Sequence, residues 1–233
     1  MTKPYSAPIV VDYQILTDTK ETGKERFASL RQLQIKPIFS DGTQGEQHPC
    51  AVLMRHGIDA VMIVPYVLKN PIETSLVLLR HGQRPAVWLR RHMDLPIQEP
   101  DAPARLCELV AGIREWHEHG MEGLLSRACI ELKEEVGLHV NPQDLVPLGP
   151  GFLPSPGLFP EKIFPFCIEL SQDTLQQANP LGDGGVQEMG ASIEIMTLKD
   201  AILQIDQGII IDAKTELGLL RLMRFLKART TAL

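Results

Sequence analysis

Three glutamates on one predicted helical face are the feature that most restricts how this chain can fold. Glu131, Glu134 and Glu135 stand at positions i, i+3 and i+4, so an α-helix places all three carboxylates on the same side. Gly137 follows as a residue that adopts positive φ easily and ends the helix. The opposite, core-facing stripe is predicted to consist of Ala128, Leu132 and Val136, one turn apart.

These acidic residues can be interpreted in two ways. Like charges on adjacent turns weaken an isolated helix, and a divalent cation would relieve the repulsion, because Mg²⁺ and similar ions prefer carboxylate oxygens. The alternative is a solvated acidic helix end with a glycine stop. Residues 131–138 by themselves favour this second interpretation, so evidence for a metal site must come from other segments of the sequence.

Composition limits the class of protein. The chain has 233 residues, of which 44% are hydrophobic and 22% charged, which fits one medium domain or a domain with a small appendage. The net charge of −6 argues against a nucleic-acid or anionic-membrane partner. No apolar run reaches the roughly 20 residues of a membrane span, and the first residues lack the apolar core of a signal peptide. We therefore expect a cytoplasmic protein.

Cysteine spacing gives a prediction about metals. The four cysteines are scattered without a C-x-x-C pair, at Cys50, Cys107, Cys129 and Cys167. This spacing predicts buried free thiols and no zinc site.

The hydrophobic pattern predicts an α+β protein with a mixed sheet packed between helices. Predicted strands cover 8–16, 27–39, 51–54, 58–68, 75–80, a short segment after Arg84, 106–111, 144–148, 163–170 and 192–198. Beyond the acidic helix, a helix over 198–207 is predicted to be capped by Thr197 and stopped by Gly208. A last helix begins after Asp212, with a predicted buried side of Leu217, Leu220, Met223 and Leu226. Residues 1–55 are predicted to form a small antiparallel subdomain that dimerises, and 56–233 the main domain.

The acidic helix resembles the box of the Nudix hydrolases. That box is a Gly, five residues, a Glu, seven residues, then Arg-Glu-U-x-Glu-Glu-x-Gly-U, where U is bulky and aliphatic. Residues 131–138 match everything after the Arg, and seven residues separate Glu122 from Ile130. Ile130 stands at the Arg position, and nine residues instead of five separate Gly112 from Glu122. Arg127, four residues before Glu131, is the predicted substitute for the missing Arg.

Segments outside the box resemble one branch of the family, the ADP-ribose and nucleotide-sugar pyrophosphatases. They are Arg84-Pro-Ala-Val, Glu108-Leu-Val-Ala-Gly112, Ser155-Pro-Gly157 with Glu161 after it, and Asp212-Ala-Lys-Thr215. The resemblance covers about residues 50 to 228. It implies a Nudix-type α/β/α sandwich with a mixed sheet.

The resemblance also implies roles for individual residues. Glu131 and Glu135 would be direct ligands of Mg²⁺ or Mn²⁺, with Glu134 sharing the metal site and the catalysis, and the Ala111 carbonyl adding an oxygen. Glu161 would take the proton of the attacking water. Substrate contacts would come from Arg84, Gly112 and Glu188.

Several of these residues have simpler explanations that stay open. Glu122 is as well explained by a helix N-terminus, where the dipole favours a carboxylate, as by a metal-site role. Glu161 could be an ordinary loop acid. His117 and His119 could indicate a metal site, but alternate histidines in a polar segment are better explained as solvated loop residues.

Two functions follow from the resemblance. One is metal-dependent hydrolysis of the pyrophosphate bond of ADP-ribose or a related nucleotide sugar, giving a nucleoside monophosphate and a sugar phosphate, by a homodimer. The other is a Nudix-fold module that binds a nucleotide sugar without cleaving it. The retained acids favour the enzyme, whereas Ile130 and the longer spacing before Glu122 favour the binder.

Overall fold

The computed structural model describes residues 10–20, 28–180 and 191–231. The chain divides into two compact units, one of residues 1–58 with 155–161 and one of residues 59–154 with 162–233. The domain boundary expected after residue 55 stays a prediction. Among the described residues, no helix has the length and apolar character needed to cross a bilayer.

The first unit contains a three-stranded antiparallel sheet. Its strands, in spatial order, are β1 (Val10–Lys20), β2 (Ala28–Phe39) and β3 (His48–Arg55). Asp41, in the turn between β2 and β3, accepts the Thr43 amide at 3.0 Å and its hydroxyl at 2.6 Å, the side-chain bonding that favours Asp in turns. The small antiparallel sheet expected from the sequence is confirmed.

The second unit contains a seven-stranded mixed sheet. Its strands are β4 (Ala60–Val67), β5 (Leu76–Gln83), β6 (Arg105–Glu108), β7 (Val110–Ile113), β8 (Val146–Pro147), β9 (Ile163–Glu169) and β10 (Ser192–Thr197). The main order is β10-β5-β4-β9-β8, with β6 on β5 and β7 on β4. β4 runs parallel to β9 and antiparallel to β5 and β7. All eight residues of β4 are buried, as its nearly continuous apolar sequence predicts for a central strand.

Helices cover both faces of this sheet. The helices are α1 (Pro85–Trp88), α2 (Gly120–Val136), α3 (Gln172–Gln176), α4 (Leu198–Asp206) and α5 (Ala213–Thr231), with 3₁₀ turns at Ile72–Thr74, Leu89–His92 and Pro142–Asp144. The stripe Ala128, Leu132 and Val136 of α2 is fully buried on one face, against residues that include Val61 and Phe166. On the other face α4 and α5 pack through Leu198, Leu219 and Leu222. The predicted α+β architecture is therefore confirmed.

Helix ends follow the predicted capping signals. Gly137 adopts φ of 70° after α2, and its amide donates to the Lys133 carbonyl at 2.9 Å, which satisfies a terminal carbonyl of the helix. The Thr197 side chain accepts the Asp200 amide at the start of α4, and Asp212 Oδ2 accepts the Thr215 amide at 3.0 Å at the start of α5.

Three predictions about local structure are wrong. The segment after Arg84 forms the short helix α1 instead of a strand, because Pro85 at its first position is preorganised for a helix. The predicted strand 106–111 is two strands, β6 and β7, interrupted at Leu109. Within residues 213–229 of α5 the fully buried residues are Thr215, Gly218, Leu219, Leu222 and Leu226. Of the predicted buried side Leu217, Leu220, Met223 and Leu226, Leu226 is fully buried and Met223 packs partly buried against the core, whereas Leu217 and Leu220 lie outside the fully buried stripe.

Candidate active site

Glu131 on α2 lies directly against the backbone of β7. A Cβ atom added to Gly112 would overlap the Cδ and Oε1 atoms of Glu131, so only glycine leaves room for this carboxylate. Gly112 pairs with Val61 of the fully buried strand β4, which fixes its position. The absence of a side chain at Gly112 therefore lets the Glu131 carboxylate pack directly against the sheet.

Glu135, one turn further along α2, is buried between β5 and β7. Its Oε2 atom accepts the Ala111 amide at 3.0 Å, and its Oε1 atom forms an ion pair with Arg80. Burial acts to raise the pKa of Glu135, and the adjacent Arg80 guanidinium is the strongest influence in the opposite direction, because it favours the ionised carboxylate. Arg80 is itself buried, and within the described ranges its Nε and Nη2 atoms have no hydrogen-bond partner. In the described part of the chain, the Glu135 carboxylate is therefore the hydrogen-bond partner of the Arg80 guanidinium.

Arg127 connects Glu131 with a second carboxylate. Its Nε and Nη2 atoms donate to Glu118 at 3.1 and 2.9 Å, and its Nη1 atom lies 3.5 Å from Glu131 Oε1. The predicted proximity of Arg127 and Glu131 is thus present. Burial acts to raise the pKa of Glu118, but the bonds from Arg127 and from the Glu115 amide lower it below the usual range. Arg127 holds the loop before α2 to the acidic face of the helix.

Glu118 is the site residue that the sequence pattern missed. It follows Gly112 after five residues, the first spacing of the box, whereas Glu122 is exposed in the first turn of α2. The box spacing of seven intervening residues before Ile130 selects Glu122, whereas the spacing of five intervening residues after Gly112 selects Glu118. The exposure of Glu122 fits its helix N-terminus explanation.

A second charged cluster lies where β6 ends. Glu108 is buried, and its carboxylate lies 2.7 Å from Arg84 Nη2 and 3.2 Å from Lys214 Nζ. Lys214 also contacts Asp212 at 2.6 Å. Burial acts to lower the pKa of Lys214, but the two carboxylates together raise it. Arg84, the predicted phosphate contact, is therefore oriented by Glu108 and stays partly exposed.

The segment Asp212-Ala-Lys-Thr215 has a structural role that its sequence did not reveal. The Leu109 amide, at the interruption between β6 and β7, donates to Thr215 Oγ1 at 2.8 Å, and Thr215 Oγ1 donates to Asp212 Oδ2 at 2.7 Å. A buried amide without a partner would be costly. The first turn of α5 therefore supplies the hydrogen-bond partner of the amide at the interruption between β6 and β7, three residues before Gly112.

Glu161, the predicted base, belongs to the first unit. It forms an ion pair with Arg55, and only 13% of its side chain is exposed. The Arg55 guanidinium also lies over the Phe159 ring, 4.9 Å from its centroid. Glu161 is thus held in place within its unit instead of being an exposed loop acid.

The structure brings some predicted residues together and leaves others unplaced. Glu131 and Glu135 meet Gly112 and Ala111 of β7, and Glu134 lies half-buried between them along α2. In the described part of the chain, however, the three glutamates do not form a group of ligand atoms within 4.8 Å of one another. Two of these carboxylates instead face guanidinium groups, Glu131 that of Arg127 and Glu135 that of Arg80. His117 and His119 are exposed, and Glu188 lies outside the described residues.

The sequence comparisons found no match for the chain, whereas the structural comparison found matches among solved structures. No family model and no curated protein sequence matches it. Among solved structures, the crystal structure of an ADP compounds hydrolase superposes with a TM-score of 0.60, covering 98% of each chain at 16% identity. The chain has a Nudix-type fold. At this identity the likeness establishes the fold alone.

Proposed function

We propose that this Nudix-type protein hydrolyses the pyrophosphate bond of a nucleoside diphosphate derivative, with ADP-ribose or a related nucleotide sugar as substrate. The products would be a nucleoside monophosphate and a sugar phosphate. The observation that carries the proposal is the position of Glu131 on Gly112, because a carboxylate seated where no other residue leaves room is hard to explain as a solvated helix end. The superposed protein is a hydrolase of ADP compounds, and the substrate proposed for this chain belongs to the same class.

The residues at this site suit a divalent metal ion with oxygen ligands. Glu131, Glu134 and Glu135 offer carboxylates, and Mg²⁺ and Mn²⁺ prefer such donors. These three residues would hold the metal, with the Ala111 carbonyl as a further oxygen. A bound divalent ion would neutralise the charge of the diphosphate and lower the pKa of a bound water.

The remaining residues would handle the substrate and the proton. Arg84 presents a planar fork of donors that suits a phosphate, and Glu108 fixes its direction. Glu161 would accept the proton of the attacking water, with Arg55 setting the position of its carboxylate. Gly112 would keep the Glu131 carboxylate at the edge of the sheet that faces the substrate.

One observation favours the alternative of a binding module without turnover. Arg80 occupies an oxygen of Glu135 inside the protein, so an ion there would have to compete with a cation that the fold supplies. A protein that only binds a nucleotide sugar could keep this pair permanently. The two functions therefore differ in whether Glu135 is available to a metal ion.

The test is phosphate release from a substrate panel. ADP-ribose, UDP-glucose, GDP-mannose and a dinucleoside polyphosphate are incubated with and without Mg²⁺ in the presence of a phosphatase that acts only on the monoesters produced. We expect release that requires the ion and is lost in Glu135→Gln. Glu122→Gln is the matched control, since it makes the same change at an exposed position of α2 and should keep the wild-type rate. Tight binding of a panel member without release would instead support the binding module.

A further inference from the structure

A cluster of potential metal ligands lies on the sheet away from the helix glutamates. It contains His81 of β5, Cys107 of β6 and Glu194 of β10, and one ligand atom of each lies within 4.8 Å of the other two. His81 Nε2 and Glu194 Oε2 are 2.7 Å apart. Cys107 is buried, whereas the other two are partly exposed, so the cluster has a closed base and an open side.

The strand pairing brings these residues together. His81 lies directly opposite Cys107 in the β5–β6 pair, and Glu194 lies opposite Leu79, two residues from His81 on the same face. Because side chains alternate along a strand, His81 points away from the face on which its neighbour Arg80 meets Glu135. The cluster is thus separate from the candidate active site and independent of the function proposed for it.

The donor types indicate which metal the cluster would bind. A thiolate, an imidazole and a carboxylate are the ligands of Zn²⁺ in proteins, and three protein ligands with a fourth open position are a common arrangement. Mg²⁺ does not fit, because it prefers oxygen ligands alone. Cysteine spacing could not reveal such a group, since its members come from three strands separated by 26 and 87 residues in the chain.

We propose that His81, Cys107 and Glu194 bind one Zn²⁺ ion, with water in the fourth position. Ligand bonds of about 2.0 Å in a tetrahedron put nitrogen and oxygen roughly 3.3 Å apart, so the His81–Glu194 hydrogen bond opens by about half an ångström. Cys107 binds as a thiolate, and its proton passes to solvent.

A metal ion here would link three strands. β10 and β6 each pair with β5, and the ion would add a bond from each of them to the same centre. β6 also carries Glu108, which orients Arg84. Zn²⁺ binding should therefore raise the thermal stability of the second unit and hold the strand that positions the predicted phosphate contact.

Co²⁺ provides a direct spectroscopic test, because it replaces Zn²⁺ and its bond to a thiolate gives an intense charge-transfer absorption in the near ultraviolet. The full chain is freed of metal with a chelator and titrated with Co²⁺. We expect this absorption to saturate at one equivalent and to disappear when Zn²⁺ is added. The glutamate site has oxygen donors alone and cannot produce it.

Matched variants assign the absorption to the cluster. Cys107→Ser should abolish it, and His81→Gln and Glu194→Gln should weaken Co²⁺ binding at least tenfold. Cys167→Ser, which changes another buried cysteine of the same sheet, should keep it. His81 is partly exposed, so its variant remains informative should Cys107→Ser fail to fold. Absence of the absorption in the wild-type protein, its persistence in Cys107→Ser, or an unchanged Co²⁺ affinity in His81→Gln would overturn the proposal and leave a simple His–Glu hydrogen bond.

Discussion

Replacing Arg127 with methionine should destabilise the second unit by about 2–3 kcal/mol. The variant loses two bonds to the Glu118 carboxylate, at 2.9 and 3.1 Å, and leaves that carboxylate with the Glu115 amide at 2.8 Å as its remaining partner. Hydrogen bonds to charged groups contribute about 1.5–3 kcal/mol each. Two such bonds would sum to about 3–6 kcal/mol. We expect a value at or just below the lower end of that range, because the methionine still covers apolar surface and water can partly solvate a carboxylate this close to the surface.

Urea unfolding followed by tryptophan fluorescence measures this change. Both tryptophans of the chain, Trp88 and Trp116, lie in the second unit, so the signal reports that unit. A chelator in the buffer removes any contribution from bound ions. The double variant with Glu118→Gln should show a coupling energy of about 2 kcal/mol between the two positions.

An exposed ion pair supplies the control. Arg90 contacts Glu99 at 2.6 and 2.7 Å on the surface, and Arg90→Met should leave the urea midpoint nearly unchanged, because exposed pairs contribute little. A shift in Arg127→Met no larger than in this control would refute the inference that Arg127 anchors Glu118.

Three further predictions concern neighbouring groups. Gly112→Ala should weaken Mn²⁺ binding, measured by titration calorimetry, at least tenfold, because the new methyl group displaces the Glu131 carboxylate; unchanged affinity would remove the main support for the metal site. Arg80→Met should lower the free energy of unfolding by about 3 kcal/mol in the presence of a chelator, since it leaves Glu135 buried without its charged partner. Mn²⁺ should then raise the melting temperature of the variant more than that of the wild type. An equal rise would contradict competition between Arg80 and the ion. The folded-state pKa of Glu118 is lowered, so its carboxylate stabilises the protein above the unfolded pKa of about 4.3 and loses this effect as the pH falls through the folded value. The difference in urea midpoint between wild type and Glu118→Gln should therefore shrink below pH about 4.3. A difference that stays constant with pH would argue against an ionised Glu118.

The parts of the fold that the sequence predicted depend on local signals. The α2 helix combines a clear apolar stripe with a glycine stop, and β4 combines an unbroken apolar run with flanking turns. Both signals lie within a few residues of the element they specify. Such elements could therefore be placed without knowledge of their neighbours.

Other features depended on tertiary contacts. α5 is rich in leucine on several faces, so periodicity alone could not select the stripe of Leu219 and Leu222 over that of Leu217 and Leu220. The interruption at Leu109 is stabilised by a distant hydroxyl group. The spacing of the box before Ile130 points to Glu122, so the sequence pattern does not reveal that Glu118 is the glutamate that Arg127 binds.

The cross-connection between Leu109 and Thr215 has a consequence for the order in which the protein forms. The two residues are 106 positions apart in the chain. During synthesis, the Leu109 amide at the interruption that leads to Gly112 can find this hydroxyl group only after the first turn of α5 has been made. The candidate residues of the acidic helix are synthesised well before that point, yet the contact that completes their surroundings forms only once Thr215 is present.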